Sequence, residues 1–259
     1  MTNSTEWLYG RQAVREMLRA RRRRVQRILL AKGSQRTGIV AEIMALAQGV
    51  RCPVGEGERP ALDQVTAGAN HQGVAAEVSA YPYAEMDAIL AAAGDDAPLL
   101  LALDHVQDPQ NLGTLLRTAD AAGVHGVLLP ERRAAGITAT VSNASAGAVE
   151  HLRIAQVINL TRTLQDLKAQ RLWVAGLEVD PRATPFDRAN LTGPLVLVVG
   201  SEGEGLSRLV RETCDWLISL PMHGHVESLN VAVAGSIVLY AAQSARRSNP
   251  QVQSGQKER

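Results

Sequence analysis

The run Leu195-Val196-Leu197-Val198-Val199, followed by Gly200-Ser201-Glu202-Gly203-Glu204-Gly205-Leu206-Ser207, decides the fold. Five consecutive apolar residues, three of them valine, read as a strand buried on both faces. The glycine-rich turn after them leads into a helical stripe at Leu206, Leu209 and Val210. The same rhythm recurs to either side. Residues 99–104, 124–129, 172–178 and 217–220 read as further short apolar strands. Between them Leu112, Leu115, Leu116 and Ala119, then Leu160, Leu164 and Leu167, carry the period of a helix. Strand and helix alternating in this way predict an α/β domain whose parallel sheet is covered on both faces. Ligands of such sheets bind beyond the carboxyl ends of the strands, which directs attention to the loops after Leu103, Gly200 and Leu220.

The glycine turn fails two familiar tests. A dinucleotide fingerprint places glycines first, third and sixth, whereas here they fall first, fourth and sixth. The phosphate-binding P-loop fits at Gly200, Gly205 and Ser207, yet Leu206 stands where its lysine belongs. Glu202 and Glu204 would repel phosphate as well. An acidic, glycine-rich loop suits a ligand with positive charge or many hydroxyl and amine groups.

Two other segments carry polar residues at strand ends. After residue 103 come Asp104-His105-Val106-Gln107-Asp108-Pro109-Gln110-Asn111-Leu112-Gly113 and a helix containing Arg117. Asp108 and Pro109 fit a helix start. Six residues of helix separate Asn111 from Arg117 by about 9 Å, so a shared site requires Asn111 in the first turn. A capping Asn and a surface Arg explain the pair equally. The third segment runs Leu220-Pro221-Met222-His223-Gly224-His225-Val226-Glu227-Ser228-Leu229-Asn230 into a helix with Val231, Ala234 and Val238 on its apolar face. Ser228 or Asn230 can cap that helix. His223 and His225 have no third His or Cys nearby, so no metal is expected.

The first 80 residues read as a smaller α/β unit. Its helical stripes are Val14, Met17, Leu18 and Ile39, Ile43, Met44, Leu46, and its strands are 25–31 and 73–78. Residues 53–60 read as a turn and 81–96 as the linker, with the second domain spanning 97–247 and a disordered tail over 248–259. Charge is divided unevenly. Residues 1–36 carry +8, including Arg19 and the block Arg21, Arg22, Arg23, Arg24, while the rest of the 259-residue chain carries −7. A basic segment on an otherwise acidic protein suggests a polyanion partner, although a solvated helix end would look the same. Eight aromatic residues in all argue against base stacking. Neither a signal segment nor about eighteen uninterrupted apolar residues is present, so a cytoplasmic protein without a membrane span is expected.

In order and wording, Asp108-Pro109-x-Asn111-x-Gly113 with Arg117-Thr118-Ala119, Gly200-Ser201-Glu202-Gly203-x-Gly205-Leu206, and Pro221-Met222 with Ser228-Leu229-Asn230-Val231 resemble the SpoU (TrmH-like) branch of the SPOUT RNA methyltransferases. Tyr9-Gly10-x-x-x-Val14 and His71-Gln72-Gly73-Val74 resemble the L30e-like substrate-binding domain of that branch. The two-domain plan is similar to that of bacterial 23S rRNA guanosine-2′-O-methyltransferases. The resemblance implies a trefoil-knotted domain, a homodimer with an active site shared between chains, and S-adenosylmethionine as methyl donor. It implies catalytic roles for Asn111, Arg117, Glu202, Ser228 and Asn230, with Glu202 orienting Arg117. It places the donor against Gly200, Leu220, Met222, Ser228 and Leu229. The arginine block from Arg19 to Arg24, with Arg132 and Arg133, would contact RNA. A tRNA or another rRNA site as substrate, or a noncatalytic RNA-binding protein, are the competing readings.

Overall fold

The computed structural model describes residues 5–248. Its chain divides into two units, Met1–Pro82 with Ile137–His151, and Tyr83–Gly136 with Leu152–Arg259. In the first, β1 (Thr5–Tyr9), α1 (Arg11–Ala20), β2 (Val25–Ala31), α2 (Ile39–Gly49), β3 (Val54–Gly57), α3 (Arg59–Val65) and β4 (Val74–Ser79) follow in order. The sheet runs β1-β4-β2-β3, with β4 antiparallel to both neighbours and β3 parallel to β2. Leu8, Val14, Met17, Leu18, Ile28, Ile43 and Val78 close its core. The turn expected over 53–60 is instead β3 and the start of α3. Glu56 is polar and Gly55 and Gly57 lack side chains, so nothing marks an edge strand.

The second unit begins with α4 (Met86–Ala91), β5 (Leu99–Leu103), α5 (Pro109–Ala121) and β6 (Gly126–Pro130). The expected linker therefore holds a helix, because Ile89 is buried in this unit's core. The chain then returns to the first unit for α6 (Ala139–Ala144) and a single 3-10 turn (Ala148–Glu150), a stretch the sequence reading assigned to the second domain. Buried polar links explain the assignment. Glu150 accepts from Arg23 Nε at 2.9 Å and from Ser142 Oγ at 3.1 Å, and Tyr9 and Thr140 share a 3.1 Å hydroxyl bond.

The second unit resumes with β7 (Ile154–Val157), α7 (Leu160–Ala169), β8 (Trp173–Leu177), β9 (Thr184–Pro185), β10 (Leu195–Val199), α8 (Arg208–Thr213), β11 (Trp216–Ser219) and α9 (Val231–Ser248). All seven strands are parallel, in the order β7-β6-β5-β10-β8-β11-β9. Every residue of β5 and β10 is buried, as two-sided coverage demands. Leu100, Ala102, Val196 and Val198 face the α7 and α8 side with Leu164 and Val210. On the opposite face Val199 meets α9, where a Cβ on Gly235 would lie 3.3 Å from its side chain. Arg246 belongs to α9 and donates to the carbonyls of Leu191 and Ala97 at 3.2 and 2.6 Å. The tail expected over 248–259 lies outside the described residues except for Ser248, which ends α9. No helix among the described residues is long and apolar enough to cross a membrane.

Candidate active site

Four strand ends build the site from below. Beyond β5, the buried Asp104 receives the Ser207 N–H at 2.7 Å. Beyond β8, Glu178 receives the Leu206 N–H at 3.0 Å. These two carboxylates pin the far side of the glycine turn that follows β10. The turn closes on itself, with Ser201 and Gly205 exchanging backbone hydrogen bonds of 3.0 and 3.2 Å. Gly200 has no room for a side chain, because a Cβ there would stand 2.3 Å from the Gly205 carbonyl. Gly205 has φ +66°, and its missing Cβ would strike Glu178 at 2.6 Å. Gly200→Ala is therefore expected to displace the turn and to abolish binding of the S-adenosylmethionine that the resemblance places against Gly200, read as loss of its calorimetric signal with the fold retained by circular dichroism.

Around that turn three polar side chains close a ring. Asp108 caps α5 by accepting from the N–H groups of Gln110 and Asn111 at 3.3 and 3.1 Å, and Pro109 takes the first helical position. Asn111 thus sits in the first turn, only 8% exposed. Its Nδ2 donates to Glu202 Oε2 at 3.0 Å. Asn230 Nδ2 donates to Asn111 Oδ1 at 2.9 Å and to Glu202 Oε1 at 3.3 Å. The Asn230 Oδ1 accepts from the N–H groups of Ala232 and Val233, so the same side chain caps α9. Capping and site-building are one arrangement here.

The ring separates two clefts. One, of about 460 Å³, is lined by all five residues expected to hold the donor, Gly200, Leu220, Met222, Ser228 and Leu229. Glu178, Glu202, Glu204 and Glu227 also line it, with Leu177 and Val179, and no Lys, Arg or His does. Glu178 ends a strand recognised in the sequence; the rule about strand ends would have found it had it been applied there. The other cleft, of about 710 Å³, shares Ser201, Glu202 and Glu204 and adds His105, Asp108, Asn111 and Arg133. Arg132 is exposed and lines neither cleft.

Two expectations take a different form within the single chain. Glu202 makes no hydrogen bond to Arg117 of its own chain; its oxygens accept from Asn111 and Asn230. Arg117 is exposed and has no hydrogen-bond or ion-pair partner among the described residues. The arginine block is likewise not a free cationic face. Arg23 is buried against Glu150 and also pairs with Glu6; Arg22 donates to the carbonyls of Glu150 and Pro82; Arg19 pairs with Glu16 and Glu42. Of the block and Arg19, Arg19, Arg21 and Arg24 are exposed. Neither cysteine offers a nucleophile at neutral pH. Burial, then the Asp215 carboxylate, pushes the Cys214 thiol up to about 12, and burial raises that of Cys52.

Residues 98–240 match the SpoU rRNA Methylase family, and residues 7–84 match the RNA 2′-O ribose methyltransferase substrate-binding family. YacO of Bacillus subtilis strain 168, which carries the name of a TrmH family tRNA/rRNA methyltransferase, is 42% identical over 254 residues, covering 96% of this chain and 99% of the relative. An uncharacterized tRNA/rRNA methyltransferase of Mycobacterium sp. strain KMS is 44% identical over 95% of this chain and 79% of its own. The crystal structure of the SpoU methyltransferase AviRb from Streptomyces viridochromogenes, in complex with AdoMet, superposes with a TM-score of 0.78 at 23% identity, covering 95% of this chain and 92% of that one. The last match bears on fold alone; the family-model match over most of the second unit, with relatives above 40% identity along nearly the whole chain, shows that this protein belongs to the SpoU rRNA methylase family.

Proposed function

We propose that the protein methylates the ribose 2′-hydroxyl of a guanosine in 23S rRNA, with S-adenosylmethionine as donor. The observation that carries this reading is the chemistry of the smaller cleft. Four carboxylates and no cation line it, between apolar walls at Leu177, Val179, Leu220, Met222 and Leu229. Such a cleft repels phosphate and favours a cationic ligand with an apolar heterocycle. When bound, S-adenosylmethionine supplies an electrophilic methyl group carried on a sulfonium.

The chain's own residues then have two tasks, alignment and charge management. Holding the acceptor oxygen in line with the methyl carbon is worth about 7–11 kcal/mol of barrier. The Asn111–Glu202–Asn230 ring forms the wall shared by the two clefts, and we assign it to fix the donor loop against the acceptor cleft, with Ser228 on the donor side. A guanidinium is a permanent cation with five donors and no acceptor, so Arg117 is assigned to charge stabilisation and not to proton abstraction. Its role is to bind an RNA phosphate or stabilise the emerging alkoxide. Arg133 at the larger cleft binds RNA backbone. Arg132, Arg21 and Arg24 remain exposed candidates for the same contact.

Arg117 completes the site from a partner copy in this reading. Its lack of a partner among the described residues supports that, as does an apolar strip on α9. Val233, Ile237 and Tyr240 recur at four- and three-residue spacing and are 46%, 37% and 53% exposed. The second unit carries the trefoil knot of the family and the first an L30e-like fold, in a cytoplasmic homodimer. Calorimetry with S-adenosylmethionine, followed by transfer of a tritiated methyl group to unmodified 23S rRNA or tRNA transcripts, tests the reading. Label in 23S rRNA alone is expected; label in tRNA alone would move the substrate, and donor binding without label in either would leave an RNA-binding protein.

A further inference from the structure

Two motifs of the first unit, Gly10-Arg11 and Gln72-Gly73, take no part in the active site. They meet in a polar depression of about 240 Å³ lined by Arg11, Lys32, Ser34, Arg59 and Gln72, with no carboxylate and no aromatic ring in its lining. The start of α1, the β2–α2 loop, the turn before β4 and the start of α3 each contribute. Arg11 Nε donates to the Gln72 carbonyl at 3.0 Å and the Arg11 N–H to Gln72 Oε1 at 3.3 Å. The side chain is thereby aimed while its two terminal nitrogens find no acceptor among the described residues. Arg59 is exposed and has no partner among them either. The backbone N–H groups of Gly33 and Gln35 donate to no backbone acceptor among the described residues. The loop is drawn in by Ser34, whose Oγ lies 3.2 Å from where a Cβ on Gly73 would stand. Lys32 is held at the rim by Glu58 at 2.6 Å, an exposed pair that contributes little.

Cationic donors converge here and no carboxylate lines the depression, which suits a phosphate oxygen. The geometry points to this depression as the site at which the first unit grips the RNA backbone, through one phosphodiester held by Arg11 and Arg59. The inference rests on the RNA-methyltransferase reading above and adds the place of contact. It takes precedence over Arg19 and Arg23 of the arginine block, which pair with carboxylates as their neighbours Arg15 and Arg27 do. With no aromatic platform the site positions RNA and reads no base.

The test measures filter binding of in vitro transcribed 23S rRNA at several salt concentrations, with donor affinity and thermal melting recorded on the same samples. Arg59→Glu, an exposed change that spares the fold, is expected to weaken RNA binding about tenfold or more and to reduce the salt slope by about one. Donor affinity and melting stay unchanged, and Arg162→Glu on α7 leaves RNA binding unaltered. Arg11→Glu is expected to repeat the loss. Wild-type RNA affinity in both Arg59→Glu and Arg11→Glu would overturn the site while leaving the methyltransferase reading intact. Failure of the wild-type enzyme to bind or label the RNA would overturn both.

Discussion

Arg117→Ala is expected to lower kcat about 10²–10³-fold, the usual cost of losing one charge-stabilising donor at a reacting oxygen. S-adenosylmethionine affinity is expected to stay at the wild-type value. The separation follows from geometry: Arg117 lines neither cleft of its own chain and touches none of the ring formed by Asn111, Glu202 and Asn230. Single-turnover kinetics with calorimetry on the same protein read both quantities. In the proposed homodimer, where Arg117 serves the neighbouring copy, mixing Arg117→Ala with a Gly200→Ala variant should restore activity in heterodimers that retain one intact site. An active Arg117→Ala enzyme would remove the residue from the mechanism.

Glu150→Ala is expected to destabilise the first unit by about 3 kcal/mol, because it removes the buried carboxylate facing the Arg23 guanidinium and leaves it to the part-exposed Glu6. Arg23 and Glu150 side chains are 0% and 1% exposed. Burial raises the Glu150 pKa even though Arg23 and Ser142 oppose it, a sign that desolvation is the dominant cost of this pair. One Arg23 nitrogen, Nη2, already lacks a hydrogen bond, and the guanidinium lies 5.1 Å from the Tyr81 ring centroid. Tyr81 donates to the Val149 carbonyl at 3.2 Å, with burial holding its pKa up to about 12. Arg23→Met combined with Glu150→Leu should cost less than either charge deletion alone, since both desolvation costs disappear together. Urea unfolding followed by a probe in the first unit measures the difference. A loss under about 1 kcal/mol for Glu150→Ala would show the pair to be dispensable.

What the sequence disclosed, and what it hid, divides along the range of the interactions. Wholly apolar runs such as those of β5 and β10 are self-evident, because burial on both faces leaves no polar residue to confuse the pattern. The four-residue β7 and two-residue β9 sit at the sheet edges and carry too few residues to show a period. Local capping rules found Asp108 and Asn230. They could not show that Asn230 also reaches Asn111, 119 residues away, or that Asn111 meets Glu202 across 91 residues. Arg23 read as one cation among four neighbours. Its partner Glu150 arrives from 127 residues further along, on a segment that returns to the first unit. Long-range pairing thus turned a supposed RNA-binding residue into a structural one.

The chemical outcome can be read directly on RNA. A ribose bearing a 2′-O-methyl group cannot use that oxygen to attack the adjacent phosphodiester, so the bond resists alkali. Treating 23S rRNA transcripts with enzyme and S-adenosylmethionine, then hydrolysing and mapping the surviving linkages, is the decisive measurement. Alkali resistance 3′ to one guanosine is expected with the wild-type protein and not with Arg117→Ala. Methyl label recovered on a base, or no protected linkage in any RNA to which label is transferred, would contradict ribose methylation at the cleft beneath the glycine turn.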